Sequence, residues 1–192
     1  MLTIGVVAIQ GAVSEHVAAL EKSSKDLDCK IVTIKRAGIV PHCDGLIIPG
    51  GESTTISRIL HFEGIDKEIL ENKGIPVMGT CAGLIIMSNY KNESVEGLGL
   101  IDMQVKRNAF GRQAESFQVP LNVTVFNSSF DGIFIRAPAI TQVGDATEVL
   151  ARVENYGVAA QQGNKLALAF HPELGNDLRF HQYFLRFFDF YK

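Results

Sequence analysis

Apolar positions along the first ninety residues follow two alternating rhythms. Thr3-Ile-Gly-Val-Val-Ala-Ile9 is continuously apolar, the texture of a parallel strand covered on both faces. Gln10-Gly11 breaks it, and Val13, Val17 and Leu20 then mark one face of a helix ending near Ser24. Cys29 to Ile34 alternates enough to predict a strand nearer a sheet edge, whereas Gly45 to Ile48 reads as a buried strand stopped by Pro49-Gly50-Gly51. Helical segments are predicted at roughly Thr54 to Phe62 and Asp66 to Asn72. They lead into the apolar run Ile75-Pro76-Val77-Met78 and a further helical segment from Ala82 to Asn89. Strands alternating with helices at this spacing predict βαβ units, a parallel sheet and, through right-handed crossovers, helices on both faces.

Beyond Tyr90 the rhythm changes. Leu100 to Val105, Leu121 to Phe126, Ile133 to Ile135, Glu148 to Val153 and Val158 to Gln161 read as short strands with few helices between them. They predict an antiparallel extension of the same domain. Leu166 to Phe170 returns to the buried-strand texture and ends at His171-Pro172-Glu173. A last helix over 177–191 carries Phe180, Phe184, Phe187, Phe188 and Tyr191 on one face, a stripe that suits core packing. The expected class is α/β, one domain spanning residues 1–192.

Composition narrows the function. The 192 residues are 46% hydrophobic and 20% charged, with a net charge of −3, so a broad basic surface for nucleic acid is not expected. No apolar run approaches the ~20 residues that span a bilayer, and the N-terminus reads directly as a strand, without a basic leader. Cys29, Cys43 and Cys81 suit neither a disulfide framework nor a zinc site, so no metal is expected and a reducing cytoplasm is the expected compartment.

The candidate chemistry lies at strand ends. Gly79-Thr80-Cys81-Ala82-Gly83-Leu84 has the strand–turn–helix form of a nucleophile elbow, with small residues where a sharp turn leaves no room beside the reactive atom. Taken alone, Cys81 could equally be a small buried hydrophobe. In open parallel sheets ligands bind at the carboxyl ends of strands. Gln10-Gly11, Gly50-Gly51-Glu52-Ser53, Thr80-Cys81-Ala82 and His171-Pro172-Glu173 all fall at such ends. A cysteine nucleophile needs a base and a group that orients it. Of the five histidines, His171 alone follows a buried-type strand with a carboxylate two residues on. His16 and His61 are expected on solvated helix faces. Cys81 as nucleophile, His171 as base and acid, and Glu173 as orienting carboxylate form the candidate set; an ordinary turn also explains His-Pro-Glu alone. The Gly51 and Ala82 N–H groups are candidate oxyanion donors, and Gly50-Gly51 can also be simply a tight turn. Arg107 and Arg136, near strand ends, could clamp a carboxylate or make surface ion pairs.

Taken together, these residues resemble the class I glutamine amidotransferases, and more closely the glutaminase subunits of pyridoxal 5′-phosphate synthase. The resemblance runs through Gly5 to Val13, Gly45-Leu-Ile-Ile-Pro-Gly-Gly-Glu-Ser-Thr-Thr55, Gly79 to Leu84, Arg107 to Gln113, Phe134-Ile-Arg-Ala-Pro138 and Phe170-His-Pro-Glu173. It implies a flavodoxin-like three-layer sandwich with a mainly parallel central sheet and a small antiparallel extension. It also implies hydrolysis of L-glutamine to glutamate and ammonia through a thioester on Cys81, with no metal or organic cofactor. Gly51, Glu52, Ser53, Arg107, Ile135 and Arg136 would line the glutamine site, and Gln10 would sense the partner. That partner would be a (β/α)8-barrel synthase subunit, in an assembly with twelve copies of each chain. A γ-glutamyl peptidase with the same triad, or a flavodoxin-like protein with a redox-sensing cysteine, are the rival readings.

Overall fold

The computed structural model describes residues 1–110 and 116–188; Gly111, Arg112 and Gln113 of the arginine-rich motif, and Tyr191 of the aromatic stripe, lie outside them. In chain order the strands and helices begin with β1 (Leu2–Val7), α1 (Val13–Ser23), β2 (Cys29–Ile34), β3 (Gly45–Ile48), α2 (Ser53–Phe62), α3 (Ile65–Glu71), β4 (Val77–Thr80) and α4 (Ala82–Met87). The second half adds β5 (Met103–Lys106), β6 (Ser116–Leu121), β7 (Phe130–Ile135), β8 (Ala139–Val143), β9 (Glu148–Val153), β10 (Tyr156–Gln162), β11 (Lys165–Leu168) and α5 (Arg179–Leu185).

One nine-stranded sheet runs in the order β2-β1-β3-β4-β11-β10-β8-β5, with β9 also paired to β10; β6 and β7 form a separate hairpin. The pairings from β2 to β11 are parallel, and those from β11 onward are antiparallel. Strands β3, β4 and β11 are buried at every position, which is why their sequences are almost wholly apolar, with polar residues only at the end of β4 (Thr80) and the start of β11 (Lys165), whereas β2 is part-exposed at the edge. The step from β1 to β2 and the step from β3 to β4 go in opposite directions along the sheet. Right-handed crossovers therefore put α1 on one face and α2 with α3 on the other. Helix α1 packs on α5, and α2 packs on α3 and α4. This is the α/β three-layer sandwich with its antiparallel extension. Among the described residues no helix is long and apolar enough to cross a membrane.

The extension departs from the sequence pattern in detail. The predicted strand at Leu121 to Phe126 is displaced: the chain is extended over Ser116–Leu121 and then turns, with the Phe126 N–H donating to the Val123 carbonyl (3.0 Å). Apolar content drew the expectation to Val123, Val125 and Phe126, but those residues pack against the core from a turn. Strand β8, which carries Thr141 and Gln142 toward solvent, has no apolar run and was missed. Helix α5 ends at Leu185, short of the predicted span.

Behind β11 lies an aromatic cluster. Phe130 meets Phe180 at 4.8 Å between ring centroids and Phe170 at 5.6 Å, while Phe134 meets Phe170 at 5.5 Å. Edge-to-face and tilted contacts of this kind suit the ring quadrupoles. They fix the β7 hairpin onto the end of β11, where His171 follows.

Candidate active site

Cys81 sits between β4 and α4 with φ of 50° and ψ of −105°. A non-glycine residue in this region is strained, and such strain persists only where the surroundings over-determine it. Here the backbone is pinned: the Cys81 N–H donates to the Leu168 carbonyl of β11 at 2.8 Å, and the Leu84 N–H donates to the Cys81 carbonyl at 3.1 Å. The turn is tight enough that a side chain at Gly83 would run into the Ile48 carbonyl of β3. The elbow thus aims a thiol, 8% exposed, out of the strand end.

His171 follows β11, the neighbour of β4. Its backbone N–H donates to the Ile133 carbonyl of β7 at 2.8 Å, and its Nδ1 lies 2.7 Å from Glu173 Oε1. Glu173 stands in a single 3-10 turn, Pro172–Leu174, with its carboxylate fully buried. Burial works against a charge on His171, but its hydrogen bonding to the neighbouring Cys81 and Glu173 side chains raises it to about 10. The imidazole therefore carries a proton at neutral pH. Gly50 closes the other side: a Cβ there would stand 2.6 Å from His171 Cε1 and 3.1 Å from the Cys81 Cβ, so only glycine lets the backbone approach this closely. Gly51 follows with φ of 154°.

A cavity of about 400 Å³ opens in front of this cluster. Gln10, Gly51, Glu52, Ser53, Cys81, Ala82, Arg107, Ile135, Arg136 and His171 all line it, and Glu173 stands behind His171. The strand ends singled out in the sequence thus converge on one crevice. Ser53 is buried with its hydroxyl unpartnered. Glu52 caps α2, accepting from Thr54 N at 3.0 Å and Thr55 N at 2.7 Å. Burial opposes its ionisation, but these N–H groups hold the carboxyl down at about 2. Arg107 Nη2 lies 3.4 Å from Glu52 Oε1, and Gln10 Oε1 accepts from the Glu52 N–H at 3.1 Å. Arg136, at φ of 44° just past β7, makes no ion pair among the described residues. A larger groove, about 650 Å³ between α2, α3 and residues 92–98, is lined by none of the residues that the strand-end pattern singles out.

The profile of the SNO glutamine amidotransferase family matches residues 6–189. The chain belongs to that family. This amidotransferase is 54% identical to the pyridoxal 5′-phosphate synthase subunit PdxT of Methanosarcina mazei, over 96% of this chain and 97% of that one. It is also 54% identical to the PdxT of Archaeoglobus fulgidus, over 96% and 98%. A solved structure described as a glutamine amidotransferase superposes with a TM-score of 0.86 at 39% identity, covering 96% of this chain and 97% of that one.

One expectation for the amidotransferase is corrected. His16 is not on a solvated face; it is fully buried, within 3.0 Å of Thr80 Oγ1 and 3.1 Å of His181 Nε2. The signal was present: His16 falls at helical spacing between Val13 and Leu20, inside the apolar stripe itself. His61, by contrast, is exposed and pairs with Asp66 at 2.9 Å.

Proposed function

We propose that this crevice hydrolyses L-glutamine to L-glutamate and ammonia and that the ammonia serves a partner synthase making pyridoxal 5′-phosphate. Family membership and the near-full-length likeness to PdxT subunits support the reaction and its destination. The observation that carries the reading is the thiol at the elbow beside a protonated imidazole whose Nδ1 is held by a buried carboxylate.

Cys81 attacks the side-chain amide carbon as a thiolate, the nucleophilic form of cysteine, while His171 holds the proton. The amide oxygen becomes an oxyanion, for which the Gly51 and Ala82 N–H groups are the proposed donors. His171 gives its proton to the leaving nitrogen, ammonia departs, and a γ-glutamyl thioester remains on Cys81. Water then attacks, its proton passing to the now neutral His171. Collapse of the second oxyanion expels the thiolate, releasing glutamate and restoring the protonated imidazole. Glu173 orients the ring and balances its charge in both halves. Arg136, with Arg107 and the Ser53 hydroxyl, would hold the α-carboxylate end of glutamine, and Glu52 and Ile135 would shape the same subsite. Gln10, bonded to the Glu52 N–H, is the proposed sensor of the docked partner.

The proposed partner is a (β/α)8-barrel synthase subunit in a twelve-plus-twelve assembly, and the proposed compartment is the cytoplasm. Ammonia release from glutamine, measured with and without the synthase subunit of the same organism, tests the reading. Release that rises on adding the partner is expected, as is a covalent adduct on Cys81 with a diazo-ketone analogue of glutamine. Neither release nor adduct in the mixed complex would sink it.

A further inference from the structure

Glu173 uses one carboxylate oxygen on His171, and its other, Oε2, is buried without a hydrogen bond of ordinary length. An ionised oxygen in that position is costly unless something polar faces it. The group that does is His16 Nε2, at 3.4 Å. The same nitrogen lies 3.0 Å from Thr80 Oγ1, and that hydroxyl accepts the Gly50 N–H at 3.1 Å. One ring nitrogen from α1 therefore stands between the carboxylate that orients His171 and the turn that packs against it.

The ring's protonation follows from its surroundings. Burial and the neighbouring His181 and His171 lower His16 well below its ordinary value, and burial lowers His181 to about 4, so both are neutral at neutral pH. A neutral pair joined by His16 Nδ1 and His181 Nε2 has two arrangements. In one, His181 Nε2–H donates to His16 Nδ1, and His16 Nε2–H faces Glu173 and Thr80. In the other, a lone pair points at the carboxylate, the Thr80 hydroxyl donates to it, and His181 must carry its proton on Nδ1, a buried atom with no partner among the described residues. Each arrangement leaves one buried donor without an acceptor among the described residues, the Thr80 hydroxyl in the first and His181 Nδ1–H in the second, at roughly 1–3 kcal/mol apiece. Only the second adds repulsion against the Glu173 carboxylate at 3.4 Å.

We infer that His16, in the Nε2–H form that the facing Glu173 oxygen favours, is a positioning residue that holds Glu173 and, through Thr80, the Gly50–Gly51 turn. The inference rests on the glutaminase reading for its activity arm only. His16→Gln keeps an N–H near the place of Nε2, whereas His16→Asn keeps only a group near Nδ1. In the glutaminase–synthase complex, His16→Asn is expected to lower kcat on the order of tenfold or more with KM little changed, while His16→Gln stays near the parent. Cys81 alkylation by iodoacetamide across pH gives a second readout that needs no glutamine. His16→Asn should shift the profile and His16→Gln should not. Equal losses in both variants, or no loss in either, would overturn the proposal in favour of simple packing. Should His16→Asn not fold, histidine ring nitrogen NMR of the unaltered protein decides, because an Nδ1–H tautomer at His16 is incompatible with the role. If the parent complex releases no ammonia from glutamine, the glutaminase reading fails, and the alkylation and NMR arms still judge His16.

Discussion

The parallel and antiparallel halves of the sheet meet at β11, and they bring different things to the crevice. From the parallel half come Gly50, Cys81 and, at the end of β11, His171, each at the rim of a strand with no exposed position. From the antiparallel half, taken with the separate β6–β7 hairpin, come Arg107 after β5, and Ile135 and Arg136 at the end of β7, strands whose side chains alternate between core and solvent. Reacting atoms need fixed geometry, and a strand buried on both faces supplies it. Contacts to a small polar substrate need side chains that reach water when the site is empty, and half-exposed strands supply those. On this division, substitutions at Cys81, His171 and Glu173 should strike kcat, and substitutions in the antiparallel half should strike KM.

The largest expected effect is at the elbow. Cys81→Ala removes the proposed nucleophile, and glutaminase activity of the complex should fall on the order of 10⁴-fold or more. Its fold should survive, since the thiol's hydrogen-bond contact to the Ile135 carbonyl is a long one, 3.8 Å. Glu173→Gln comes next. It keeps the shape but removes the charge that holds a protonated His171, and kcat should drop by about 10²- to 10⁴-fold with KM little altered. Steady-state kinetics with synthase present measures both. A variant of Glu173 that changed KM alone would break the division of labour.

The same two halves differ in how far the sequence disclosed them. Unbroken runs such as Gly45 to Ile48 and Leu166 to Phe170 locate buried parallel strands because nothing polar is tolerated on either face, and β2 and β3 fall where the pattern put them. The antiparallel strands carry a signal on one face only, so Val123 and Phe126, apolar residues of a turn, outweighed the real strand at Ser116–Leu121. At the candidate site, the positions of Cys81, His171 and Glu173 at strand ends were legible because Gly79 and Gly83 bracket Cys81 two residues away on either side and Pro172 separates His171 from Glu173. His16, Thr80 and His181 were not, since a polar residue inside an apolar stripe shows its partners only when distant elements pack together.

Arg136 probes the antiparallel half directly. Its guanidinium lines the crevice, makes no ion pair among the described residues, and sits on strained backbone at φ of 44°. Losing the proposed charge-assisted bond to the glutamine carboxylate would cost about 1.5–3 kcal/mol, so Arg136→Ala should raise KM roughly 10- to 100-fold while kcat holds. Arg136→Lys should recover only part, because an ammonium lacks the planar fork. A fall in kcat at constant KM would mean that this half also shapes the transition state, and the comparison would have to be redrawn.

The smallest effect is on stability, and it again separates the halves. His181 lies on α5 against α1, beneath the parallel strands, and burial depresses it from an ordinary value near 6.5 to about 4. A depressed histidine contributes stability that is complete above the unfolded value and is lost as pH falls through the folded one. Between those two values the unfolded chain binds a proton that the folded chain refuses. His16, lowered for the same reason, adds in the same direction. Unfolding free energy from denaturant titration should therefore decline from about pH 6.5 toward pH 4, with His181 alone accounting for on the order of 3 kcal/mol. Carboxylates titrate in part of this window, so the informative quantity is the difference from a variant. His181→Leu should be less stable at neutral pH, having lost the bond to His16, yet decline less steeply with acid. Arg136→Ala, in the other half, should leave the slope as it is. If His181→Leu keeps the parent's full acid slope, the buried histidine pair is not the source, and the acid sensitivity belongs to surface carboxylates shared by both halves.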